Sequence, residues 1–167
     1  TNVVIVNNKA LKGAAIYNVK NSTIKLTNCT IVSNSATDNG GGIYVEKSTA
    51  HTELYNTVLY GNTANSVVDD IYYYNTSSAR VTAISSYTQQ TGLASPVLPN
   101  DITGDISNPF IADNTELLNI NNELAGQDHI YGTKDDLLFP ENNGILMDSG
   151  NDTYGPVGKD ITVQERR

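Results

Sequence analysis

The sequence has few of the residues on which disulfide frameworks, transmembrane helices and nucleic-acid contacts depend. Its 167 residues include one cysteine and no tryptophan, and only 17% are charged. One cysteine excludes an internal disulfide framework, and no run of about 18 apolar residues is present that would form a transmembrane helix. The 10 basic and 18 acidic residues give a formal net charge of −8, which repels phosphate backbones, so we expect no nucleic-acid partner.

Asparagine and threonine are abundant instead, with 21 and 18 residues. Asparagine favours turns and caps and weakens helix interiors, whereas the β-branched threonine favours strands. The length fits one domain with a sizeable buried core. Cys29 lies in an alternating apolar pattern, so we predict that it is a small core residue.

One short pattern recurs three times in the first half of the chain. It reads asparagine, two residues, an aliphatic residue, two residues, asparagine, and it appears as NVVIVNN (2–8), NCTIVSN (28–34) and NTVLYGN (56–62). The copies begin 26 and 28 residues apart, and a constant period of this length indicates a stacked repeat architecture.

Further positions keep the same register between the three repeats. They are the pairs Ile16-Tyr17, Ile43-Tyr44 and Ile71-Tyr72, the leucines Leu26 and Leu54, and the aliphatic residues Ile5, Ile31 and Leu59. A degraded fourth repeat begins near residue 79, where Ala83 or Ile84 would take the leucine position. Within each repeat, apolar and polar residues alternate with period two, as in half-buried strands. The sequence therefore predicts an all-β fold, with each repeat forming one coil of a parallel β-helix.

The paired asparagines have a structural explanation in such a stack. Equivalent residues of successive coils lie about 4.8 Å apart, so identical side chains can form ladders. Asparagine also tolerates the left-handed backbone conformation of sharp corners. We therefore predict that the pairs Asn2/Asn8, Asn28/Asn34 and Asn56/Asn62 form hydrogen-bonded ladders at the corners and have no catalytic role.

The segments GGGIYV (40–45), GAAIYNV (13–19) and NCTIVSN (28–34) resemble the repeats of bacterial polymorphic outer-membrane proteins. This resemblance implies a right-handed, single-stranded parallel β-helix on a bacterial surface. Residues 1–90 would form its coils, as the C-terminal part of a longer helix. The rest of the same polypeptide, beyond both ends of this chain, is then an expected partner.

Residues 91–167 are not repetitive and contain a second resemblance. The segments NPF (108–110), MDSGN (147–151) and DITVQER (160–166) are similar to the closing series of choice-of-anchor domains in extracellular β-helix proteins. The resemblance implies an irregular C-terminal region that packs on the helix or caps it.

Acidic residues and the two histidines are the candidates for chemistry. Asp69 and Asp70 take the positions of Gly41 and Gly42 one repeat earlier. The nearest basic residues are Lys47, His51 and Arg80, and the second histidine is His129. These residues do not stack as the paired acids and bases of a polysaccharide-degrading β-helix would, so we predict no catalytic residue.

Metal binding has a similarly weak basis. Asp101, Asp105, Asp152 and Asp160 lie in turns rich in glycine and asparagine, but they lack the close spacing of a calcium loop. We predict no metal and no cofactor.

The tyrosines form a better-defined candidate site than the acidic residues and histidines do. If the preceding isoleucines face the core, alternation turns Tyr17, Tyr44, Tyr72 and Tyr74 outward on one sheet. Such a stripe is a candidate carbohydrate-binding surface. Alternatively, the rings stabilise one another by stacking, or another segment covers them.

Two functions follow as hypotheses. The first is a non-catalytic module of a secreted or cell-surface bacterial protein, acting as a structural scaffold or adhesin. The alternative is a carbohydrate-binding or polysaccharide-processing β-helix, such as a lyase or hydrolase whose active site lies in other coils. In either case the expected location is extracellular or on the outer-membrane surface, with cell-surface or extracellular polysaccharide as a partner.

Overall fold

The structure, a computed structural model, describes residues 1–46, 49–74, 81–84 and 86–90, together with the strand at 102–103. These residues belong to the first of two compact units, Thr1–Asp105 with Asn151–Val157; the second unit comprises Ile106–Gly150 and Gly158–Arg167. Except for residues 102–103, the predicted C-terminal region 91–167 lies outside the described residues. The second resemblance, with its anchor-type motifs, therefore stays a prediction.

The described residues form β-strands in three successive repeats. Repeat 1 (residues 1–27) contains β1 Val4–Val6, β2 Lys9–Lys12, β3 Ile16–Asn18 and β4 Thr23–Thr27. Repeat 2 (residues 28–55) contains β5 Thr30–Val32, β6 Ser35–Asn39, β7 Ile43–Val45 and β8 His51–Tyr55. Repeat 3 (residues 56–84) contains β9 Val58–Tyr60, β10 Thr63–Ala64, β11 Val67–Val68, β12 Ile71–Tyr73 and β13 Val81–Ile84. Two short strands follow, β14 Tyr87–Thr88 and β15 Ile102–Thr103.

Each repeat contributes a strand to each of four sheets. The strand orders are β1-β5-β9-β14-β15 in sheet A, β2-β6-β10-β11 in sheet B, β3-β7-β12 in sheet C and β4-β8-β13 in sheet D. All pairings are parallel except that between β10 and β11, which is antiparallel. The described part of the chain has no helix long and apolar enough to cross a membrane. An all-β fold with parallel sheets is thereby confirmed, and it is consistent with a β-helix.

The register predicted from the sequence is confirmed at every repeated position. Ile16, Ile43 and Ile71 are paired across sheet C, and the tyrosines that follow them are paired in the same way. Ile5, Ile31 and Leu59 are paired across sheet A. In sheet D, Leu54 pairs with Leu26 on one side and with Ala83 on the other, so Ala83 takes the leucine position.

The core lies between the sheets and is built from these repeated positions. Ile31, Ile43, Leu54, Leu59 and Ile71 are at most 1% exposed and belong to one apolar cluster. Cys29, also 1% exposed, belongs to the same cluster, which confirms its prediction as a core residue. Burial of large aliphatic side chains contributes roughly 1.5–3 kcal/mol each, so this column is a main source of stability.

Two of the corners that all three repeats share have the left-handed backbone conformation. At the first corner, Asn2, Asn28 and Asn56 have φ values of 56°, 53° and 47°. At the second, Asn7, Ser33 and Gly61 have φ values of 54°, 54° and 63°. Asparagine and glycine adopt this conformation at lower cost than other residues, which explains why they recur at these positions.

Repeat 3 departs from the other two after β10. Its chain turns back through Asn65 and Ser66, both with positive φ, and β11 then pairs antiparallel with β10. In repeats 1 and 2 the residue directly after the sheet B strand is a glycine, Gly13 after β2 and Gly40 after β6, and both have positive φ. The hairpin places β11 on the side of β10 that faces away from repeat 2.

Candidate functional site

Three asparagines, one from each repeat, form a directional chain of hydrogen bonds, here named the asparagine ladder (Asn8, Asn34 and Asn62). The Asn8 Nδ2 donates to Asn34 Oδ1 over 2.9 Å, and the Asn34 Nδ2 donates to Asn62 Oδ1 over 2.9 Å. The same Oδ1 atoms also accept the backbone N–H of the residue one repeat earlier. Asn34 and Asn62 are 0% exposed and lie inside the stack, whereas Asn8 is exposed.

The two members of each predicted asparagine pair therefore have different roles. The first, at Asn2, Asn28 and Asn56, adopts the left-handed corner conformation, and Asn56 Nδ2 donates to Asn28 Oδ1 over 3.0 Å. The Asn2 Oδ1 is buried without a hydrogen-bond partner, so the donor–acceptor pattern of this corner is incomplete there. The second member builds the buried ladder. The predicted structural role is thus supported by different contacts at the two positions.

Asp70 ends the asparagine ladder. Its Oδ1 accepts the Asn62 Nδ2 over 2.7 Å, and its Oδ2 accepts the Thr88 hydroxyl over 2.8 Å and the Gln89 N–H over 3.0 Å. The carboxyl group is 0% exposed, and this burial raises its pKa, although the hydrogen bonds from Asn62, Thr88 and Gln89 oppose the rise. A buried carboxylate needs such donors.

Two other predicted candidates for chemistry, Asp69 and His51, lie among the described residues. Asp69 accepts the Gly40 N–H over 2.7 Å, and burial raises its pKa. The backbone carbonyls of Asp69 and Asp70 accept the N–H groups of Gly42 and Ile43, which confirms their register with the glycines of repeat 2. His51 is an exposed residue at the start of β8.

Several predicted candidates lie outside the described residues. They are Lys47, Arg80, Asp101, Asp105, His129, Asp152 and Asp160. Among the residues that the structure does describe, no group of three or more histidine, cysteine, aspartate or glutamate side chains is arranged to hold a metal ion.

Tyr17, Tyr44 and Tyr72, named here the tyrosine column, are stacked across sheet C. The ring centroids are 5.0 Å apart for Tyr17 and Tyr44 and 5.1 Å apart for Tyr44 and Tyr72, with interplanar angles of 7° and 16°. Parallel aromatic pairs of this kind contribute about 0.5–1.5 kcal/mol beyond the burial of their area. The structure thus brings three of the four predicted site residues into direct contact.

The tyrosine column is exposed unevenly. Tyr17 is 42% exposed, Tyr72 is half-buried, and Tyr44 between them is only 4% exposed. Tyr74, the fourth predicted residue, is 61% exposed and lies two residues beyond Tyr72, where its N–H donates to the Val45 carbonyl. Burial raises the pKa of Tyr44, and it also raises the pKa of Tyr17 together with the charge of Glu46.

Charged side chains that the sequence analysis did not single out flank this column. The Lys12 Nζ lies 3.2 Å from a carboxylate oxygen of Asp38 and 5.3 Å from the centroid of the Tyr44 ring. The Tyr17 hydroxyl donates to Glu46 over 3.2 Å. The signal that could have found Glu46 is its position two residues after Tyr44, on the same face of the strand.

The stacking limits how a ligand can approach the tyrosine column. A ring inserted between two others needs a contact of about 3.5–4 Å on each side, or roughly 7 Å in all, which exceeds the observed centroid separations. A ligand would therefore meet ring edges, hydroxyl groups, the Glu46 carboxylate and the outer faces of the two end rings.

Comparison with known proteins gives one partial match. The repeat model of the Chlamydia polymorphic membrane proteins matches residues 28–46, which include β5, β6, β7 and the glycine corner between them. No curated protein and no solved structure matches the chain. The matched repeat and the parallel sheets together indicate a β-helix-like repeat protein of the bacterial outer membrane or cell surface.

Proposed function

We propose that the chain is a non-catalytic scaffold module of a bacterial surface protein, built as a right-handed, single-stranded parallel β-helix. In this proposal the irregular residues 91–167 close the helix at its C-terminal end. The scaffold holds other parts of the protein at a fixed separation, because each repeat adds one layer of about 4.8 Å to a hydrogen-bonded stack.

The observation that carries this proposal is the use of polar side chains inside the stack. Asn34, Asn62 and Asp70 are fully buried and hydrogen-bonded to one another or to neighbouring repeats. Satisfied buried polar networks fix one register, whereas a slipped register leaves donors and acceptors unpaired. Such a network suits a protein whose task is to keep its shape.

The enzyme alternative would need acids and bases on the outer face of successive repeats. Of the adjacent aspartates, Asp70 is enclosed by Asn62, Thr88 and Gln89, and Asp69 bonds to the Gly40 N–H. Both carboxyl groups therefore take part in contacts that hold the fold, which supports the non-catalytic proposal.

The carbohydrate-binding alternative is favoured by one specific observation. Tyr17 and Tyr74 are large, exposed aromatic residues on the outer face of sheet C, and Glu46 lies beside Tyr17. Aromatic rings beside a carboxylate are suited to the apolar faces and hydroxyl groups of sugars. A recognition surface at this site would make the module an adhesin.

A glycan array on the purified chain distinguishes these functions. The matched variants are Tyr17→Ala/Tyr74→Ala, which removes the exposed rings, and Leu11→Ala, which removes a 68% exposed apolar side chain on sheet B. The scaffold proposal expects no retained saccharide for any of the three proteins. Retention by the wild type and Leu11→Ala that is lost in the tyrosine variant would replace it with carbohydrate recognition. Retention by all three would also overturn it and would place the binding surface elsewhere.

A further inference from the structure

Glu46 lies on the outer face of sheet C, directly after β7, as Val19 follows β3 and Tyr74 follows β12. The Glu46 N–H donates to the Asn18 carbonyl over 2.9 Å. The Tyr74 N–H donates to the Val45 carbonyl over 3.0 Å, so these positions continue the register of sheet C. Glu46 therefore has Val19 and Tyr74 as neighbours on the two adjacent strands, at a strand spacing of about 4.8 Å. We name these three side chains the Glu46 site.

The Glu46 site combines one carboxylate with exposed apolar groups. Val19 and Tyr74 are 48% and 61% exposed. Tyr17, whose hydroxyl donates to Glu46 over 3.2 Å, is 42% exposed. Glu46 itself is half-buried, and among the residues that the structure describes it forms no ion pair. Because a partly desolvated carboxylate interacts more strongly with a cation than a fully hydrated one does, the site is suited to a side chain with a positive charge and an apolar stem.

Sheet D shows how this chain combines a tyrosine and a glutamate with a cation. The Tyr55 hydroxyl donates to Glu53 over 3.4 Å. The Lys25 Nζ lies 4.5 Å from the centroid of the Tyr55 ring, within the range of a cation–π interaction. Lys25 also pairs in register with Glu53 on the adjacent strand. A lysine of the chain itself thus completes the set of ring, carboxylate and cation on this sheet.

A second lysine completes the same set beside the tyrosine column. The Lys12 Nζ lies 3.2 Å from a carboxylate oxygen of Asp38 and 5.3 Å from the centroid of the Tyr44 ring. In the described part of the chain, no lysine or arginine lies over the Tyr74 ring in this way, and no other ring stacks on it. The Glu46 site therefore supplies the ring and the carboxylate, and a partner would supply the cation.

Charge and hydrogen-bonding capacity favour arginine as the ligand side chain. The chain has a net charge of −8, which attracts basic polypeptides at low salt. A guanidinium group can donate two parallel hydrogen bonds to a carboxylate, and it also stacks on aromatic rings. A neutral saccharide could offer only hydroxyl groups to Glu46 and would gain nothing from its charge.

We propose that the Glu46 site binds an arginine side chain of a basic polypeptide partner. The guanidinium group pairs with the Glu46 carboxylate and lies against the Tyr74 ring, and the apolar stem packs on Val19. Tyr17 holds the carboxylate in position through its hydroxyl group. This role goes beyond that of a scaffold, and it is tested by binding in solution, independently of the rigidity of the stack.

The test is an NMR titration of the isotopically labelled chain with a blocked pentapeptide that carries two arginines among glycines. The same peptide with citrulline, the uncharged analogue of arginine, is the ligand control. The variants of the site are Glu46→Gln and Tyr74→Ala. Glu53→Gln is the matched control, because it removes the same charge from sheet D, where Lys25 already lies over Tyr55. Circular dichroism checks that each variant keeps the fold.

The arginine peptide is expected to shift the backbone amide signals of Glu46 and Tyr74 in a saturable way, and the citrulline peptide is not. Glu46→Gln should weaken binding about fivefold, because the guanidinium group loses its charged partner. Tyr74→Ala should weaken it about two- to fivefold, the range of an exposed cation–π interaction. Glu53→Gln should weaken it less than about twofold, since its charge lies on another sheet.

Equal weakening by Glu46→Gln and Glu53→Gln would overturn the proposal, because net charge alone would then account for binding. Saturable shifts with the citrulline peptide, or none with the arginine peptide, would also overturn it. If only a neutral saccharide shifted the same signals, the ligand would be a sugar instead. If the chain alone formed a concentration-dependent dimer that shifted them, a second copy would occupy the site instead of a separate partner.

Discussion

The Asn62 side-chain amide donates over 2.7 Å to the carboxylate of Asp70, which lies only eight residues further along the chain. In the earlier steps of the asparagine ladder, the acceptor is an asparagine in the next repeat, 26 or 28 residues away. The chain therefore completes its own ladder within repeat 3, by folding back through the β10–β11 hairpin.

Replacing Asp70 should destabilise the stack, because groups that donate hydrogen bonds to its carboxylate would lose their acceptor. In Asp70→Asn, one oxygen can still accept from Asn62, but the new NH₂ group faces the Gln89 N–H, which then has no acceptor. An unsatisfied buried donor costs about 1–3 kcal/mol, so we expect a loss of this size in the free energy of unfolding by urea. Asp70→Ala should cost more, because it leaves the donors on both sides unpaired and opens a cavity.

Asp69→Asn is the matched control for this prediction. Asp69 is only partly buried and accepts one backbone N–H, from Gly40, which an amide oxygen can also accept. We expect a change within about 1 kcal/mol. If Asp69→Asn and Asp70→Asn lowered the free energy of unfolding equally, the end of the asparagine ladder would not contribute more to stability than the single hydrogen bond of Asp69.

Tyr44 should make the fold sensitive to alkaline pH. Burial raises its folded-state pKa above the unfolded value of 10.0, so the folded protein holds the phenol proton more tightly than the unfolded chain does. Its contribution to stability is therefore intact below about pH 10 and is lost as the pH rises through the folded-state pKa.

Tyr44→Phe keeps the stacked ring and removes the titrating hydroxyl. The free energies of unfolding of the wild type and Tyr44→Phe should run parallel between about pH 7 and pH 9, and above about pH 10 the wild type should lose more stability. Near-ultraviolet absorbance titration of both proteins identifies the late-titrating phenol. Parallel curves over the whole range would contradict the prediction.

Gly41 should not accept a side chain. A Cβ at this position would lie 2.3–2.5 Å from backbone atoms of Thr63, so one of the two strands would have to move. Overpacking of this kind costs about 1–3 kcal/mol, and we expect Gly41→Ala to lose that much stability in chemical denaturation.

Gly61→Asn is the control for this prediction. Gly61 has a φ of +63°, but a Cβ there would meet nothing closer than 3.8 Å, and asparagine or serine occupies the equivalent corner of the other repeats. We expect a change below about 1 kcal/mol, because asparagine tolerates this conformation. A larger loss for Gly61→Asn than for Gly41→Ala would show that backbone conformation matters more here than close contact.

Removal of one whole repeat should preserve the fold. Deletion of residues 28–55 joins Thr27 to Asn56, so repeat 1 meets repeat 3 in the same register, with Tyr17 over Tyr72 and Leu26 over Ala83. The shortened chain should keep its β-sheet circular dichroism and unfold cooperatively at a lower temperature, since one layer of packing is lost.

Deletion of residues 28–41 is the out-of-phase counterpart. It removes β5 and β6 but leaves β7 and β8, so the remaining strands cannot each meet an equivalent strand. This variant should lose cooperative unfolding. If the half-repeat deletion were as stable as the whole-repeat deletion, the four-strand repeat would not be the unit of stability.

The sequence by itself determined the repeat and its register. Ile16, Ile43 and Ile71 could be aligned from the sequence, and the structure pairs them across one sheet. This works because stacked repeats place equivalent residues in equivalent surroundings, so the same residue types recur at the same spacing. The stacking of the tyrosines follows from the same rule.

Only the tertiary structure decided what happens where the repeats differ. The segment 64–70 carries no glycine at the positions of Gly40 to Gly42, and this was the one signal that repeat 3 departs from the others. The pattern did not reveal that Asp70 would turn inward to receive Asn62, or that Tyr44 would be almost fully covered. Both outcomes depend on neighbours far apart in the chain, because the burial of a side chain and the pairing of a hydrogen-bond donor are set by the layers above and below it.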